Sequence, residues 1–203
     1  MHAQDTARPH RRGPSRPSPW VLHFLDGAPK GGPVLDVACG WGRHLRAALD
    51  RGHPVTGLDR DMTGLDELAA RPDVELIETD LEAPDRGPWP VAGRRFAAVV
   101  VTKYLYRPIF PEIRAAVADD GVLIYETYAL GQPRHGRPAR DEFLLASNEL
   151  LSPELIGGLT VVAFEHGEIP GDAERGRIPE IVQRICAVGP AHPWIFDRPR
   201  RLD

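Results

Sequence analysis

Long apolar runs and cysteines are both scarce in this sequence. Its 203 residues include two cysteines, and no apolar run approaches the roughly 20 residues that a membrane-spanning helix needs. The arginines near the N-terminus are followed by prolines and polar residues instead of an apolar stretch, so we predict no secretory signal. Cys39 and Cys186 lie in segments with core character, which indicates buried, reduced thiols and a cytoplasmic protein.

The charge balance excludes a further class of function. The sequence has 25 basic and 29 acidic side chains, and its net charge of -4 argues against a nucleic-acid-binding surface spread over the whole protein. Arginines cluster only at the two ends and in residues 134–140. Two scattered cysteines do not make a metal site, and we predict no bound metal. The composition is that of one soluble globular domain.

Residue composition divides the chain into three parts. Residues 1–19 are rich in Pro, Arg and Ser and cannot bury enough apolar surface to fold, so we predict a disordered basic tail. Residues 20–189 are predicted to form the folded domain. Residues 190–203 are predicted to be a second tail, in which Trp194 and its neighbours could dock on the domain. Solvated tails are the favoured interpretation, and a nucleic-acid role for them is the alternative.

Strand-like and helix-like segments alternate along the domain. Short apolar, often β-branched runs predict strands at 33–38, 54–59, 74–79, 96–102, 122–127, 159–166 and 181–188. Helical spacing predicts helices at 41–51, 61–70, 109–118 and 148–156. The last two strands follow each other without a helix between them. Since a parallel crossover usually needs a helix, we expect a mostly parallel sheet with one reversed strand at its end.

The strongest chemical signal is a strand that enters a glycine turn and then a helix, reading VLDVACGWGRHL from Val34 to Leu45. Gly40 and Gly42 lack a Cβ, so the backbone can turn sharply and let a ligand approach closely. The turn lies at the carboxyl end of the first strand, where open α/β sheets bind their ligands. We therefore predict a ligand site at this turn.

The same segment argues against a dinucleotide as the ligand. A dinucleotide site favours the pattern G-x-G-x-x-G, but Leu45 stands where the third glycine belongs. The carboxylate of Asp36 would repel a diphosphate, whereas it would attract an ammonium group. The pattern therefore points away from NAD.

Acidic residues also end the second and third predicted strands. Asp59 comes seventeen residues after Gly42 and can accept hydrogen bonds from both hydroxyls of a ribose, and Asp80 ends the third strand. Each of these acids alone is more simply explained as a solvated loop carboxylate or a helix cap. Together with Asp36 they form a row along one edge of the sheet, in register with the glycine turn, which favours a common binding site.

At this point the sequence resembles the class I S-adenosylmethionine-dependent methyltransferases, in particular the small-molecule tellurite-resistance and thiopurine type. The family pattern D-x-G-x-G-x-G is matched from Asp36 to Gly42, with Ala38 in place of the first glycine. The resemblance covers roughly residues 30–188. It implies an α/β fold of three α/β/α layers, Rossmann-like, in which a mostly parallel seven-stranded sheet has an antiparallel last strand.

The resemblance also implies S-adenosylmethionine as the cofactor and a role for individual residues. Asp36 and the turn backbone would hold the methionine end, Asp59 the ribose hydroxyls, and Asp80 with Leu81 the adenine. Arg60 and Asp61 would flank the adenosine. The implied cofactor-binding residues are Asp36, Ala38, Cys39, Gly40, Gly42, Asp59, Arg60, Asp80, Leu81 and Thr102.

Two tyrosines after the fourth predicted strand are candidates for the methyl-transfer cavity. Tyr104 and Tyr106 could bind substrate, act in catalysis, or contact the sulfonium through their rings, an effect of roughly 1 kcal/mol. The alternative is that at least one packs on the next helix. Lys103 would repel a sulfonium, so we expect its ammonium to point elsewhere, towards a carboxylate. The N/D-P-P-Y/F motif of enzymes that methylate amino groups of DNA and glutamine is absent, which argues against those acceptors.

Residues 128–147 predict a long loop after the fifth strand, on the cofactor side of the sheet. Such a loop is often a lid over a site. Arg134 and Arg137 are then candidates to bind an anionic substrate, with Arg140 as a further possibility, and His135 is a candidate general base. A solvated polar loop with an exposed histidine is the alternative.

The predicted function is methyl transfer to a small-molecule acceptor by in-line displacement, with neither nucleic acid nor membrane as partner. The enzyme's contribution would be mainly alignment, so no catalytic base is assigned. Two alternatives remain open: a regulatory or structural protein that binds S-adenosylmethionine without methyl transfer, and an NAD-dependent oxidoreductase, which Leu45 and Asp36 disfavour.

Overall fold

The computed structural model describes residues 16–172 and 176–197. Its helices are α1 (Pro19–Leu25), α2 (Arg43–Leu49), α3 (Asp66–Ala69), α4 (Phe110–Ala115), α5 (Pro153–Ile156) and α6 (Pro193–Phe196). Its strands are β1 (Val34–Val37), β2 (Val55–Asp59), β3 (Val74–Glu78), β4 (Phe96–Thr102), β5 (Val117–Tyr128), β6 (Thr160–Ile169) and β7 (Glu180–Val188). Short 3-10 turns occupy Arg107–Ile109, Gln132–Arg134, Asp141–Phe143 and Glu149–Leu151.

The seven strands form one sheet in the order β3-β2-β1-β4-β5-β7-β6. Neighbouring strands are parallel except at β7, which runs antiparallel to both β5 and β6. This confirms the prediction of a mostly parallel seven-stranded sheet with an antiparallel last strand. Since the chain order switches at β1 and β4, the carboxyl ends of these strands meet where an open α/β sheet binds its ligand.

Helices cover both faces of the sheet. On one face α1 packs against β5, and α2 packs against β1 and β2. On the other face α4 packs against β5 and α5. All seven residues of β4 are buried, as expected of a central parallel strand whose two faces both meet a helical layer.

Several predicted elements differ from the observed ones for local reasons. The helix predicted at 61–70 is reduced to α3, because Gly64 has a φ of 82° that interrupts a helix. Residues 148–156 form a 3-10 turn followed by α5, and Pro153 begins that second helix. The helix predicted at 109–118 ends earlier, since β5 already starts at Val117, which pairs with Phe96.

The folded part of the chain reaches beyond residues 20–189 at both ends. The Ser18 side chain caps α1 by accepting a hydrogen bond from the Trp20 N–H, and Ser18 is buried. At the other end His192 is buried, with Nε2 2.9 Å from the Gly27 carbonyl oxygen. Residues 1–15 and 198–203, which complete the predicted tails, lie outside the described residues.

Candidate functional site

The turn between β1 and α2 is built from residues in the left-handed region. The φ angles are 56° at Ala38, 52° at Gly40 and 67° at Gly42. A Cβ added at Gly40 would meet no atom within 4 Å, whereas one at Gly42 would lie 2.8 Å from Leu68 Cδ1. The turn is therefore packed against the protein at Gly42 and leaves room for a ligand at Gly40. Ala38 adopts a conformation that glycine reaches without strain, which accounts for a glycine in the family pattern.

Asp59 is bound to this turn from the end of β2. The Gly40 N–H donates a hydrogen bond of 2.7 Å to Asp59 Oδ2, and the Asp61 N–H donates one of 3.1 Å to Oδ1. A carboxylate oxygen can accept more than one hydrogen bond, so both oxygens keep acceptor capacity. The two backbone donors therefore orient the Asp59 carboxylate while leaving it able to accept hydrogen bonds from a diol.

Asp36 is the site's unusual group. It is 1% exposed, and neither of its carboxyl oxygens has a hydrogen-bond partner among the described residues. Burial raises the pKa of Asp36 to about 8, with a further contribution from the Asp59 carboxylate and an opposing one from the Arg43 guanidinium. Because buried carboxyls are normally paired, these two acceptors call for a cationic donor, and a ligand ammonium fits.

A buried polar network, which sequence reasoning missed, lies beside Asp36. The Ser18 N–H donates to His44 Nε2 at 3.1 Å, and the Ser18 hydroxyl donates to Glu126 Oε1 at 2.9 Å. His44 Nδ1 lies 3.4 Å from Thr102 Oγ1 and 3.9 Å from Asp36 Oδ2. Burial and the Arg43 charge lower the pKa of His44 to about 3. In the sequence, this network is indicated only by polar residues that stand at the ends of apolar strands.

Arg43 is a second residue that the sequence analysis did not assign. Its guanidinium donates hydrogen bonds to Thr102 Oγ1 at 3.2 Å and to the Arg16 carbonyl oxygen at 3.4 Å. This places a positive charge at the end of β4, close enough to Asp36 to act on its charge. The signal that could have found it is an arginine directly after the last glycine of the turn.

The end of β3 places the predicted adenine residues near Tyr104. Leu81 is buried in the main core, while Asp80 is exposed and its Oδ1 accepts a hydrogen bond of 2.9 Å from the Glu82 N–H. Arg60 is exposed and close enough to Glu82 to act on its charge. Burial, with the nearby Glu82 carboxylate to which its hydroxyl donates, raises the pKa of Tyr104 above its ordinary value.

The tyrosines and Lys103 surround the exit of β4. Tyr104 and Tyr106 are half-buried and pack against the main core, so core packing accounts for part of both side chains. Lys103 has a φ of 55°, and its ammonium pairs with the Glu180 carboxylate and lies 5.3 Å from the centre of the Tyr128 ring. The expectation that this ammonium points to a carboxylate is confirmed.

The long loop is ordered by contacts to β7 and to Arg107. Buried Gln132 accepts a hydrogen bond of 2.8 Å from the Ile181 N–H, and Arg107 donates to the carbonyl oxygens of Glu142 and Leu144. Arg134 and Arg137, the predicted substrate-binding arginines, are exposed. The loop is therefore anchored at several points while its arginines face outwards.

His135 lies away from the glycine turn. Its Nε2 is 3.0 Å from Glu168 Oε2 on β6, the edge strand. Four strand spacings of about 4.8 Å each separate β6 from β1, roughly 19 Å. The structure therefore brings the acids, Thr102 and the turn together, and does not bring His135 to them.

A cavity of about 540 Å³ opens elsewhere, between α1 and β6. Its lining includes Trp20, Phe24, Phe164 and Arg184 but no residue of the glycine turn and neither Asp36 nor Asp59. The buried carboxyl oxygens of Asp36 lie at the carboxyl edge of the sheet and not in this cavity. We therefore assign the candidate site to that edge. Across residues 16–172 and 176–197 no helix is long and apolar enough to cross a membrane, and no cluster of three or more His, Cys, Asp or Glu residues could hold a metal ion.

The sheet order and the turn together define the class I methyltransferase fold, and comparisons with known proteins agree. Residues 34–121 match the family described as a methyltransferase domain. The matched residues include the glycine turn, Asp36, Asp59 and Asp80, so the candidate site lies in the part of the chain that resembles a methyltransferase domain. A search of curated proteins finds no match.

Three solved structures illustrate the likeness in fold. TehB from Haemophilus influenzae is 18% identical with a TM-score of 0.63, over 83% of this chain and 61% of that chain, so this chain spans about three fifths of it. The glycopeptide N-methyltransferase MtfA is 20% identical with a TM-score of 0.55, over 84% of this chain and 89% of that chain. The [4+2]-cyclase SpnF is 16% identical with a TM-score of 0.58, over 84% and 80%. Since a cyclase shares the fold, the fold alone does not determine the reaction.

Proposed function

We propose that this protein transfers the methyl group of S-adenosylmethionine to a small-molecule acceptor by in-line displacement. The observation that carries the proposal is Asp36, a buried carboxyl with no hydrogen-bond partner among the described residues, placed beside an open glycine turn and next to Asp59. An amino acid joined to a nucleoside supplies the two groups that these acids suit, an ammonium and a ribose diol. MtfA, which shares the fold, has been crystallised with S-adenosylmethionine.

The chain's own residues divide the work of binding. Asp36 would pair with the ammonium, and Arg43, whose guanidinium is hydrogen-bonded to Thr102 at the end of β4, would face the carboxylate of the methionine part. Gly40 allows close approach of the backbone, and Asp59 would accept the ribose hydroxyls. Asp80 and Leu81 would contact the adenine at the end of β3.

When bound, the cofactor supplies a methyl group on a positively charged sulfur. The protein's part is to hold donor and acceptor in line, which can contribute roughly 7–11 kcal/mol, and to exclude water. Lys103 is held by Glu180, so its charge is directed away from a sulfonium. A nucleophilic acceptor needs no base, and we assign none.

The acceptor would lie between the exit of β4 and the loop of residues 128–147. Tyr104 and Tyr106 would form one wall of the acceptor cavity, because both side chains are half-buried at the exit of β4. The raised pKa of Tyr104 means that its hydroxyl stays protonated. Arg134 and Arg137 would supply positive charge from the loop. A small acceptor is favoured over nucleic acid because the described helices pack on a single sheet and form no second unit that could grip a macromolecule. A cytoplasmic location agrees with Cys39 and Cys186, which are buried and not joined by a disulfide.

Calorimetry with S-adenosylhomocysteine tests the cofactor site. We expect binding by the unchanged protein and at least about tenfold weaker binding by Asp59→Ala, since a charge-assisted hydrogen bond contributes about 1.5–3 kcal/mol. Asp73→Ala, which removes an exposed acid paired with Arg71, is the matched control and should bind normally. Equal affinity of the two variants would reject Asp59 as the ribose ligand.

A labelled-methyl assay tests the transfer itself. The acceptor panel should include phenols, thiols, amines and metalloid oxyanions, with the labelled product identified by mass spectrometry. Methylation of a small acceptor supports the proposal. Cofactor binding without turnover on any of them would favour a regulatory role, and binding of NAD in competition with S-adenosylmethionine would favour an oxidoreductase.

A further inference from the structure

The imidazole of His44 is held in one protonation form by the backbone of Ser18. His44 is 2% exposed, and its Nε2 accepts the Ser18 N–H at 3.1 Å. A ring nitrogen that accepts a hydrogen bond carries no proton, so a neutral His44 must carry its proton on Nδ1. That nitrogen lies 3.4 Å from Thr102 Oγ1, within hydrogen-bond distance, and 3.9 Å from Asp36 Oδ2, beyond it. The Nδ1–H of His44 is therefore available to Thr102 and lies beside the Asp36 carboxyl without a hydrogen bond to it.

The same serine connects His44 to the next strands. The Ser18 hydroxyl donates to Glu126 Oε1 at the end of β5, and Glu126 Oε2 lies 3.5 Å from Arg184 Nη1 of β7. Residues 16–18 thus cross the carboxyl edge of the sheet and contact α2 and β5 at once. The segment therefore links the acceptor nitrogen of His44 to the carboxyl end of β5.

We propose that His44 is a positioning residue for the amino-acid end of the cofactor: Ser18 selects its Nδ1–H form, and the Nδ1–H holds the Thr102 hydroxyl and turns its partial positive charge towards the Asp36 carboxylate that receives the ammonium. The proposal rests on the proposed function, because the ammonium belongs to S-adenosylmethionine. It also assigns residues 16–18 a part in cofactor binding, which they would exert through His44 and through Arg43, whose guanidinium donates to the Arg16 carbonyl oxygen.

The charges around Asp36 predict how protons move on binding. The groups that act on it are Arg43 and His44 from α2, Asp59 from β2 and Cys39 from the turn. Burial raises the pKa of Asp36 to about 8, so at pH 6.5 the carboxyl is protonated before an ammonium pairs with it. Binding should therefore release a proton at pH 6.5 and release almost none at pH 9. His44, whose pKa is lowered to about 3, should stay neutral throughout.

Two substitutions at Ser18 separate its hydroxyl from its N–H. Ser18 has a φ of -62°, which proline adopts without strain. Ser18→Ala removes only the hydroxyl, whereas Ser18→Pro removes the hydroxyl and the N–H that selects the His44 form. The difference between the two variants therefore reports the N–H, and thermal unfolding checks that both are folded.

The experiment combines nitrogen NMR of histidine-labelled protein with calorimetry of S-adenosylhomocysteine in phosphate and Tris buffers, which reveals proton release. We expect the Nδ1–H form of His44 from pH 5 to 9 in the unchanged protein and in Ser18→Ala. In Ser18→Pro we expect loss of that form, about tenfold or more weaker binding than in Ser18→Ala, and a changed proton release.

Two results would overturn the proposal: an Nε2–H form in the unchanged protein, or equal affinity and proton release in the two variants. If the unchanged protein does not bind S-adenosylhomocysteine at all, the proposed function fails instead. The NMR spectrum then still reports which ring nitrogen of His44 carries the proton.

Discussion

Leu45 of α2 packs directly on Gly57 of β2. A Cβ added at Gly57 would lie 2.9 Å from Leu45 Cδ1 and 3.0 Å from Cys39 Sγ, and Leu45 is fully buried. A dinucleotide site achieves close packing of helix and strand with a glycine on the helix. Here the strand supplies the glycine and the helix supplies the large side chain. This arrangement keeps the close packing and removes the third glycine of a dinucleotide site.

Gly57→Ala should destabilise the protein by about 1–3 kcal/mol, because the added methyl overpacks a site already filled by Leu45 and Cys39. Gly167→Ala is the control: that glycine lies in β6, and a Cβ there meets nothing within 4 Å. We expect the control to leave the free energy of unfolding in urea unchanged or to raise it by up to about 1 kcal/mol. Equal effects of the two would contradict the packing described.

Ala38→Gly should raise the free energy of unfolding by up to about 1 kcal/mol. Its φ of 56° costs an alanine about 1–2 kcal/mol, which exceeds the entropy that a glycine adds to the unfolded chain. Ala47→Gly, in the interior of α2, should instead lower it by about 1 kcal/mol. Urea unfolding of both variants checks the opposite signs, and a loss in both would show that the turn is not strained at Ala38.

Asp36→Asn should remove a pH dependence of stability. The pKa of Asp36 is raised from 3.8 to about 8 in the folded protein, so between these values the folded state binds more protons than the unfolded state. Its contribution is fully present below pH 3.8 and is lost as the pH rises through about 8. The unfolding free energy of the unchanged protein, measured without cofactor at pH 5, 7 and 9, should therefore fall more steeply than that of Asp36→Asn.

Asp73→Asn is the control for that slope. The hydrogen bond from Arg71 lowers the pKa of Asp73, so its titration lies below the range measured. The control should keep the slope of the unchanged protein from pH 5 to 9. A slope in Asp36→Asn as steep as in the control would mean that another group titrates.

Trp194→Ala should lower the free energy of unfolding by about 1–3 kcal/mol, which is less than the loss expected when a fully buried tryptophan is replaced by alanine. The indole of Trp194 packs 6.5 Å from Phe24, measured between ring centres, and sits where a Cβ on Gly27 would be 2.4 Å away. Phe196→Ala, at a side chain that is 69% exposed, should change stability by less than about 0.5 kcal/mol. If neither change lowers the melting temperature, α6 does not contribute to the folded domain.

Sequence patterns predicted most strands to within one or two residues, from β1 to β4 in particular. These strands are short apolar runs ended by turn residues, so neighbouring residues suffice to recognise them. The start of β5 was missed, because Asp119 and Asp120 have the polarity of a turn although the strand runs through them. The short helix α1 was missed as well, since its stability comes from packing on β5 and not from helical spacing.

The glycine turn and the row of acids could be predicted from the sequence alone, which also disfavours NAD. These features follow from residues close together in the chain, at the ends of recognisable strands. Three features depend on the folded chain: Asp36 has no hydrogen-bond partner among the described residues, neutral His44 carries its proton on Nδ1, and His135 lies far from the site. Ser18 meets His44 across 26 residues and Glu126 across 108. Burial and hydrogen-bond partners depend on such distant contacts, which no local pattern contains.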